Sequence, residues 1–248
     1  MSPAPVVFLP GILMPAPLRY AALIEAVGPD VRALTKELEV YRGPTPPDGY
    51  TLETELDGID RFADAQGLER FHLYGHSGGG AVSLAYVARD PSRVISLALD
   101  EPATDYSAES FRAIRDDFVA MSKQGDGEFI ADFGRSMMKS GAEPPPRPPG
   151  PPPDWMANRP AGVRAFVRAL AEATVDLERF RDFTRPVYYS FGSLSNTTWA
   201  EMPLRLEKLF GDFHAEEYEG ASHPFTSHIK EPARVAGVLK EMWGRAEG

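Results

Sequence analysis

The chain has 248 residues, 43% hydrophobic and 25% charged, which suits one globular α/β domain carrying an insertion. Its net charge of −10 repels phosphate backbones and anionic lipid heads, arguing against nucleic acid and membrane as partners. With no cysteine, it has no disulfide, no cysteine-ligated metal and no thiol nucleophile.

The first residues, Met1 to Pro5, lack the basic start and apolar run of a signal peptide, and no stretch nears the roughly 20 apolar residues of a membrane span. A cytoplasmic protein is the expectation. Val6 to Leu9 is a compact apolar run ended by Pro10-Gly11, the pattern of a buried parallel strand. Pro17 to Val27 predicts a helix, Val31 to Val40 a weaker second strand, and Arg42 to Gly49 a Pro/Gly loop. Thr51 to Gln66 carries Leu52, Leu56, Ile59 and Phe62 at spacings of three and four, an amphipathic helix. Phe71 to Tyr74 reads as the third strand, Gly78 to Arg89 as a small-residue helix, and Val94 to Leu99 as the fourth strand.

Between Glu101 and Thr184 the alternation stops. Helices are expected over Ser107 to Ser122 (Phe111, Ile114, Phe118, Met121), Phe129 to Met138, and Gly162 to Phe180. Glu143 to Pro153 is nearly all proline and fits neither helix nor sheet interior. Residues 102–183 thus read as a helical cap with a stiff spacer, set between core segments 1–101 and 184–248. The alternation then resumes with a strand at Val187 to Phe191, a helix at Trp199 to Phe210, a strand at Phe213 to Tyr218, and a closing helix at Glu231 to Trp243. Strands alternating with helices call for parallel pairing and right-handed crossovers, hence a mostly parallel sheet of about six strands flanked by helices.

The chemistry centres on Gly75-His76-Ser77-Gly78-Gly79, a G-x-S-x-G run between a predicted buried strand and a predicted helix. In that context the serine occupies a strained turn, its neighbours two away must be tiny, and its hydroxyl stands clear of the sheet edge. The helix start behind it offers free N–H groups to a developing oxyanion. The run lacks the lysine of a phosphate-binding loop and the spacing of a dinucleotide fingerprint.

Together with Phe8-Leu9-Pro10-Gly11 and Gly220-Ala221-Ser222-His223-Pro224, this turn resembles the α/β-hydrolase fold superfamily over nearly the whole chain outside the cap. The resemblance implies a nucleophile at Ser77 and a base on the loop before the last helix. His223 fits that place and His228 is the runner-up. It also implies oxyanion donors at the N–H groups of Ile12 and Gly78, with Leu13 the alternative to Ile12. His76 should point elsewhere, and His72 and His214 read as structural strand residues. No metal-ligand spacing is visible, and no cofactor is implied.

Many members of the superfamily carry the acid after the strand that follows the cap, but Phe191 to Asn196 holds no carboxylate. Others carry it one strand earlier, where this chain reads Leu99-Asp100-Glu101-Pro102. Glu101 is the expected acid and Asp100 the alternative; strand alternation sends the two to opposite sides. The expected activity is serine hydrolysis of a small or medium apolar ester or lactone. The alternatives are a binding protein on the same scaffold, and a C–C bond hydrolase or cofactor-free haloperoxidase/perhydrolase-like activity. A small molecule is the expected partner, and a homodimer is left open.

Overall fold

The computed structural model of the chain describes residues 4–121, 123–143 and 150–248. Ser122, positions 144–149 of the proline run, and the side chains of Phe111, Ile114, Phe118 and Met121 lie outside the described set.

Six strands form one sheet: β1 (Val6–Leu9), β2 (Ala33–Thr35), β3 (Phe71–His76), β4 (Val94–Asp100), β5 (Val187–Gly192) and β6 (Phe213–Tyr218). Their order is β2-β1-β3-β4-β5-β6, and every pairing is parallel. β1, β3 and β4 are buried throughout, as parallel strands covered on both faces must be. The register sets Leu9 opposite Gly75, His76 opposite Asp100 and Asp100 opposite Ser190. The C-terminal ends of four strands therefore meet at one edge. The chain moves outward from β1 to β2 and then returns to β3 on the other side, so the crevice of this sheet opens between β1 and β3.

Period-two alternation divides the core. Phe8, Tyr74 and Tyr188 face one side, where α1 (Ala16–Val27) and α9 (Pro232–Glu247) supply Tyr20, Leu23, Val235 and Leu239. Val7, Leu73 and Leu97 face the other, where α2 (Leu52–Ala65) and α3 (Gly78–Arg89) supply Leu56, Ile59, Leu84 and Val87. α2 starts where predicted because Thr51 and Thr54 cap its first turn reciprocally. α1 and α9 each begin with proline in the first turn, where the missing N–H costs nothing.

Between β4 and β5 run α4 (Ala108–Met121), α5 (Asp126–Ser136) and α6 (Arg159–Glu172). Val163, Phe166 and Leu170 of α6 join the same apolar cluster as Leu56 and Val82. A bridge between Met138 and Ser195, and the bond from Asn196 Nδ2 to Ser136 O (3.1 Å), tie the end of α5 to the loop after β5. α7 (Thr198–Leu206) follows β5, and a single turn, α8 (Ser227–Lys230), precedes α9.

The structure redraws several expected elements; α5 spans Asp126–Ser136 rather than Phe129 to Met138, and α9 runs on to Glu247 rather than stopping at Trp243. The strand expected over Val31 to Val40 is only Ala33–Thr35, followed by a 3-10 turn at Glu39–Tyr41. Glu55 holds that turn: its buried carboxylate takes the N–H groups of Glu39 (2.8 Å) and Val40 (3.0 Å), which therefore pair with no strand. The helix expected over Gly162 to Phe180 begins earlier, at Arg159, stops at Glu172, and gives way to a separate 3-10 turn, Leu177–Asp182. Asp176 caps that turn through Glu178 N (3.1 Å), and β-branched Thr174 and Val175 disfavour continuing the helix across the gap. α7 ends at Leu206 rather than Phe210, its later turns already disturbed by Pro203, which removes a helical donor.

Candidate functional site

Ser77 sits between β3 and α3 at φ 51°, ψ −116°, a left-handed position costly for any residue but glycine. Its backbone is held on three sides: Ser77 N donates to Asp100 O (3.0 Å), and Ser77 O accepts from Ala81 N (3.0 Å) and Ala103 N (2.8 Å). The glycines two residues away are steric requirements. A Cβ on Gly75 would lie 2.5 Å from Gly79 O, and one on Gly79 would lie 2.4 Å from Leu9 O. Strand, helix and the end of β1 can approach only because these side chains are absent.

Two carboxylates and two histidines meet behind this turn and sort into two pairs. Ser77 Oγ lies 2.8 Å from His223 Nε2, and His223 Nδ1 lies 2.6 Å from Glu101 Oε2. A carboxylate only accepts, so Nδ1–H donates to Glu101 and leaves the Nε2 lone pair facing the serine hydroxyl. The other Glu101 oxygen accepts Gly192 N–H at 2.7 Å, and Glu101 is fully buried at φ 47°. The C-terminal end of β5, after which no acid stands, thus supplies a donor that holds the carboxylate at the end of the preceding strand.

Asp100 points the other way, as strand alternation requires, and contacts His228 Nδ1 through Oδ2. The same oxygen accepts from Tyr74 OH (3.1 Å) and Ser227 Oγ (3.0 Å). The alternative acid and the alternative histidine are therefore partners of each other through their side chains, and Ser77 Oγ pairs with His223 instead. Burial alone would raise the Asp100 carboxyl, but His228 and Arg19 hold it below its ordinary value. Burial, reinforced by the Arg19 cation, pushes His228 down to about 4.

His76 is also turned away from the serine. Its Nε2 lies 2.8 Å from Arg19 Nη2. Arginine only donates, so Nε2 accepts and the ring is neutral with its proton on Nδ1. Burial first, and the Arg19 charge second, hold His76 well below its ordinary pKa. Arg19, itself buried, also donates to Pro224 O (3.0 Å) and Thr226 Oγ1 (3.2 Å). It clamps α1 to the loop that carries His223. That loop turns tightly, with Phe225 N bonded to Ser222 O at 2.7 Å, so His223 and Pro224 form its tip. His72 lies in β3 between Ser96 Oγ (2.8 Å) and Glu247 Oε1 (2.9 Å), and His214 is exposed on β6.

Gly78 is the first residue of α3, so its N–H has no intrahelical acceptor. A Cβ there would lie 3.6 Å from Ile12 N and 3.1 Å from the Phe166 ring, so Gly78, Ile12 N and Phe166 of α6 lie side by side. Tyr41 OH donates to Ile12 O at 2.6 Å and steadies that loop; Leu13, the alternative donor residue, packs half-buried against the larger apolar cluster.

Three contributors have no counterpart in the sequence reading: Arg19, Trp199 and the Gly192 N–H. Trp199 lies against His223, ring centroids 4.1 Å apart and planes 16° apart. Only Gly192 carried a usable signal, as a glycine ending an apolar strand. Its own constraint is a close approach, since a Cβ would lie 2.3 Å from Ala221 O.

A family model described as alpha/beta hydrolase fold matches residues 40–165, just over half of the chain. The chain is 41% identical over 56 residues to the Abhydrolase domain-containing protein abhd-5.2 of Caenorhabditis elegans, covering 22% of this chain and 13% of that protein. It is also 41% identical over 54 residues to the dihydrolipoyllysine-residue acetyltransferase component of the acetoin cleaving system of Cupriavidus necator, covering 22% and 14%. The matched stretch is thus a small fraction of either relative's length. Among solved structures, MenH from S. aureus superposes with a TM-score of 0.76 at 13% identity, covering 99% of this chain and 95% of that one. A thermophilic esterase from Thermogutta terrifontis does so with a TM-score of 0.72 at 18% identity, covering 99% and 91%. With its parallel six-stranded sheet and the serine turn at the β1/β3 crevice, the chain belongs to the α/β-hydrolase fold family.

Proposed function

We propose that this hydrolase-fold protein is a serine carboxylic-ester hydrolase acting on a small or medium apolar ester or lactone. The observation that carries the reading is the continuous chain from Ser77 Oγ to His223 Nε2 (2.8 Å) and from His223 Nδ1 to Glu101 Oε2 (2.6 Å). In this reading Ser77 Oγ attacks the carbonyl carbon while His223 Nε2 takes its proton, and Glu101 stabilises the imidazolium through Nδ1–H. The tetrahedral oxyanion is held by the N–H groups of Gly78 and Ile12, aided by the N-terminal dipole of α3. His223 then returns the proton to the leaving alkoxide, and the acyl-enzyme is hydrolysed by a water that His223 deprotonates. Ile12, Phe166 and Trp199, all buried beside this constellation, favour an apolar substrate. The insertion of 102–183 would then serve as the cap over the site.

Asp100 is disfavoured as the acid because it is engaged by His228, Tyr74 and Ser227. Incubation with a fluorophosphonate probe and with p-nitrophenyl butyrate tests the reading. The wild-type chain should label covalently at Ser77 and turn the ester over, and Ser77→Ala should do neither. Tight binding of an ester without labelling or turnover would instead make the chain a binding protein on this scaffold.

A further inference from the structure

The loop after β5, which lacks an acid, delivers an aromatic ring to the site. Trp199, the second residue of α7, stacks nearly parallel on His223 at 4.1 Å and 16°. Its freedom is small. The residue is 4% exposed, Nε1–H donates to Pro102 O (2.8 Å), and its carbonyl accepts from Tyr189 OH (2.9 Å). Pro102 follows Glu101 directly, so one hydrogen bond ties the indole to the segment that carries the carboxylate touching His223. His76 lies against the same imidazole at 5.0 Å and 34°.

We propose that Trp199 is a positioning residue for the base: its indole holds the His223 ring in the plane that joins Glu101 to Ser77 and stabilises the imidazolium formed as Ser77 attacks. The face of an indole carries negative potential and attracts a cation more than a neutral ring. The stack therefore favours the protonated imidazole of the transition state over the neutral imidazole of the resting enzyme, and only such a difference accelerates the chemical step. Glu101 acts on the ring edge and Trp199 on its face, so the two contributions are separate. The neighbouring titratable groups include His76, against the His223 ring, Arg19 and His228 behind it, and Asp100, whose carboxylate is taken up by His228, Tyr74 and Ser227. His76 and His228 are both held neutral over the working range, and Arg19 stays cationic. Of the two carboxylates only Glu101 is bonded to the imidazole directly, on its edge, and the indole lies against its face.

The inference rests on His223 being the catalytic base, so its test has one arm that needs no turnover. A protonated imidazole stacked on an indole quenches its fluorescence. Acidification should quench a component of the wild-type emission that is absent in both His223→Gln and Trp199→Phe. In the activity arm, Trp199→Leu should lower kcat on p-nitrophenyl butyrate about tenfold, with KM within about twofold and the acid limb of the pH profile moved to lower pH. Trp199→Phe keeps an aromatic face but loses the indole N–H, and should stay within about threefold of wild type. Equal losses in the Leu and Phe variants, or a wild-type pH profile in Trp199→Leu, would overturn the proposal, as would Trp199-dependent acid quenching that survives His223→Gln. If the wild-type chain neither labels nor turns over, the hydrolase reading fails while the fluorescence arm still decides the stack.

Discussion

Replacing Glu101 by Gln removes one charge and one acceptor while preserving shape, and the geometry around it sets the size of the effect. The carboxylate accepts two buried donors, His223 Nδ1–H at 2.6 Å and Gly192 N–H at 2.7 Å. An amide has only one oxygen to offer. If that oxygen faces His223, the amide NH2 meets the Gly192 N–H, and a buried donor without a partner costs about 1–3 kcal/mol. If it faces Gly192, the NH2 points at Nδ1, the imidazole switches tautomer, and Nε2 carries a proton instead of the lone pair that the proposed mechanism needs beside Ser77. The second arrangement is favoured, so the productive tautomer falls to roughly a tenth to a hundredth of molecules. The molecules that retain it have lost the negative charge opposite the imidazolium. Together these give a loss of about 10³–10⁴ in kcat, the scale known for removing a triad carboxylate. Asp100→Asn changes the pair with His228 and should leave kcat within about tenfold. Steady-state kinetics on p-nitrophenyl butyrate, with thermal melts to check folding, make the comparison. A Glu101→Gln protein within tenfold of wild type, or a folded Asp100→Asn protein that loses as much, would refute the reasoning.

His228 is held at about 4 in the folded chain, against about 6.5 for an unperturbed histidine, mainly by burial. Between those values the unfolded chain binds a proton that the folded one does not. Stability should therefore fall as pH drops from about 6.5 to 4, by on the order of 3 kcal/mol, with His76 acting in the same direction. Urea unfolding at pH 7.5 and pH 4.5 measures this, and equal unfolding free energies would contradict it. Gly79→Ala drives a Cβ to within 2.4 Å of Leu9 O and 2.6 Å of Pro10 O, rigid backbone on both counts. It should cost about 3 kcal/mol and displace the Pro10–Ile12 loop with a fall in kcat, whereas Gly237→Ala on α9, with open space at its Cβ, should stabilise by about 1 kcal/mol. Chemical denaturation of the two variants side by side decides between these outcomes.

What the residues declared on their own were the features encoded locally. The apolar runs of β1, β3 and β4, the spacing of Leu52, Leu56 and Ile59, and the glycines flanking Ser77 each follow from a backbone period or a turn's steric demand acting over a few residues. Alternation of strand and helix then leaves few topologies open. The same local logic put His223 on the loop before the closing helix and two carboxylates at the end of β4. The resemblance favoured Glu101 with His223, but local pattern alone left Asp100 and His228 open as alternatives. Asp100 and Glu101 are neighbours in the chain, while His223 and His228 lie more than 120 residues away from them. Only the packing of α1, α8 and the loop after β5 on the sheet edge divides the four groups into Glu101–His223 and Asp100–His228. Nothing local marked Arg19, which looks like an ordinary polar residue of a surface helix until the loop carrying His223 closes over it. Glu55 likewise holds the 3-10 turn after the second strand from elsewhere in the chain, by taking the N–H groups of Glu39 and Val40. Buried polar groups must find partners wherever the fold brings them together. Their pairing is a property of the whole tertiary structure, and in this protein it decides which histidine stands beside Ser77 and what holds it there.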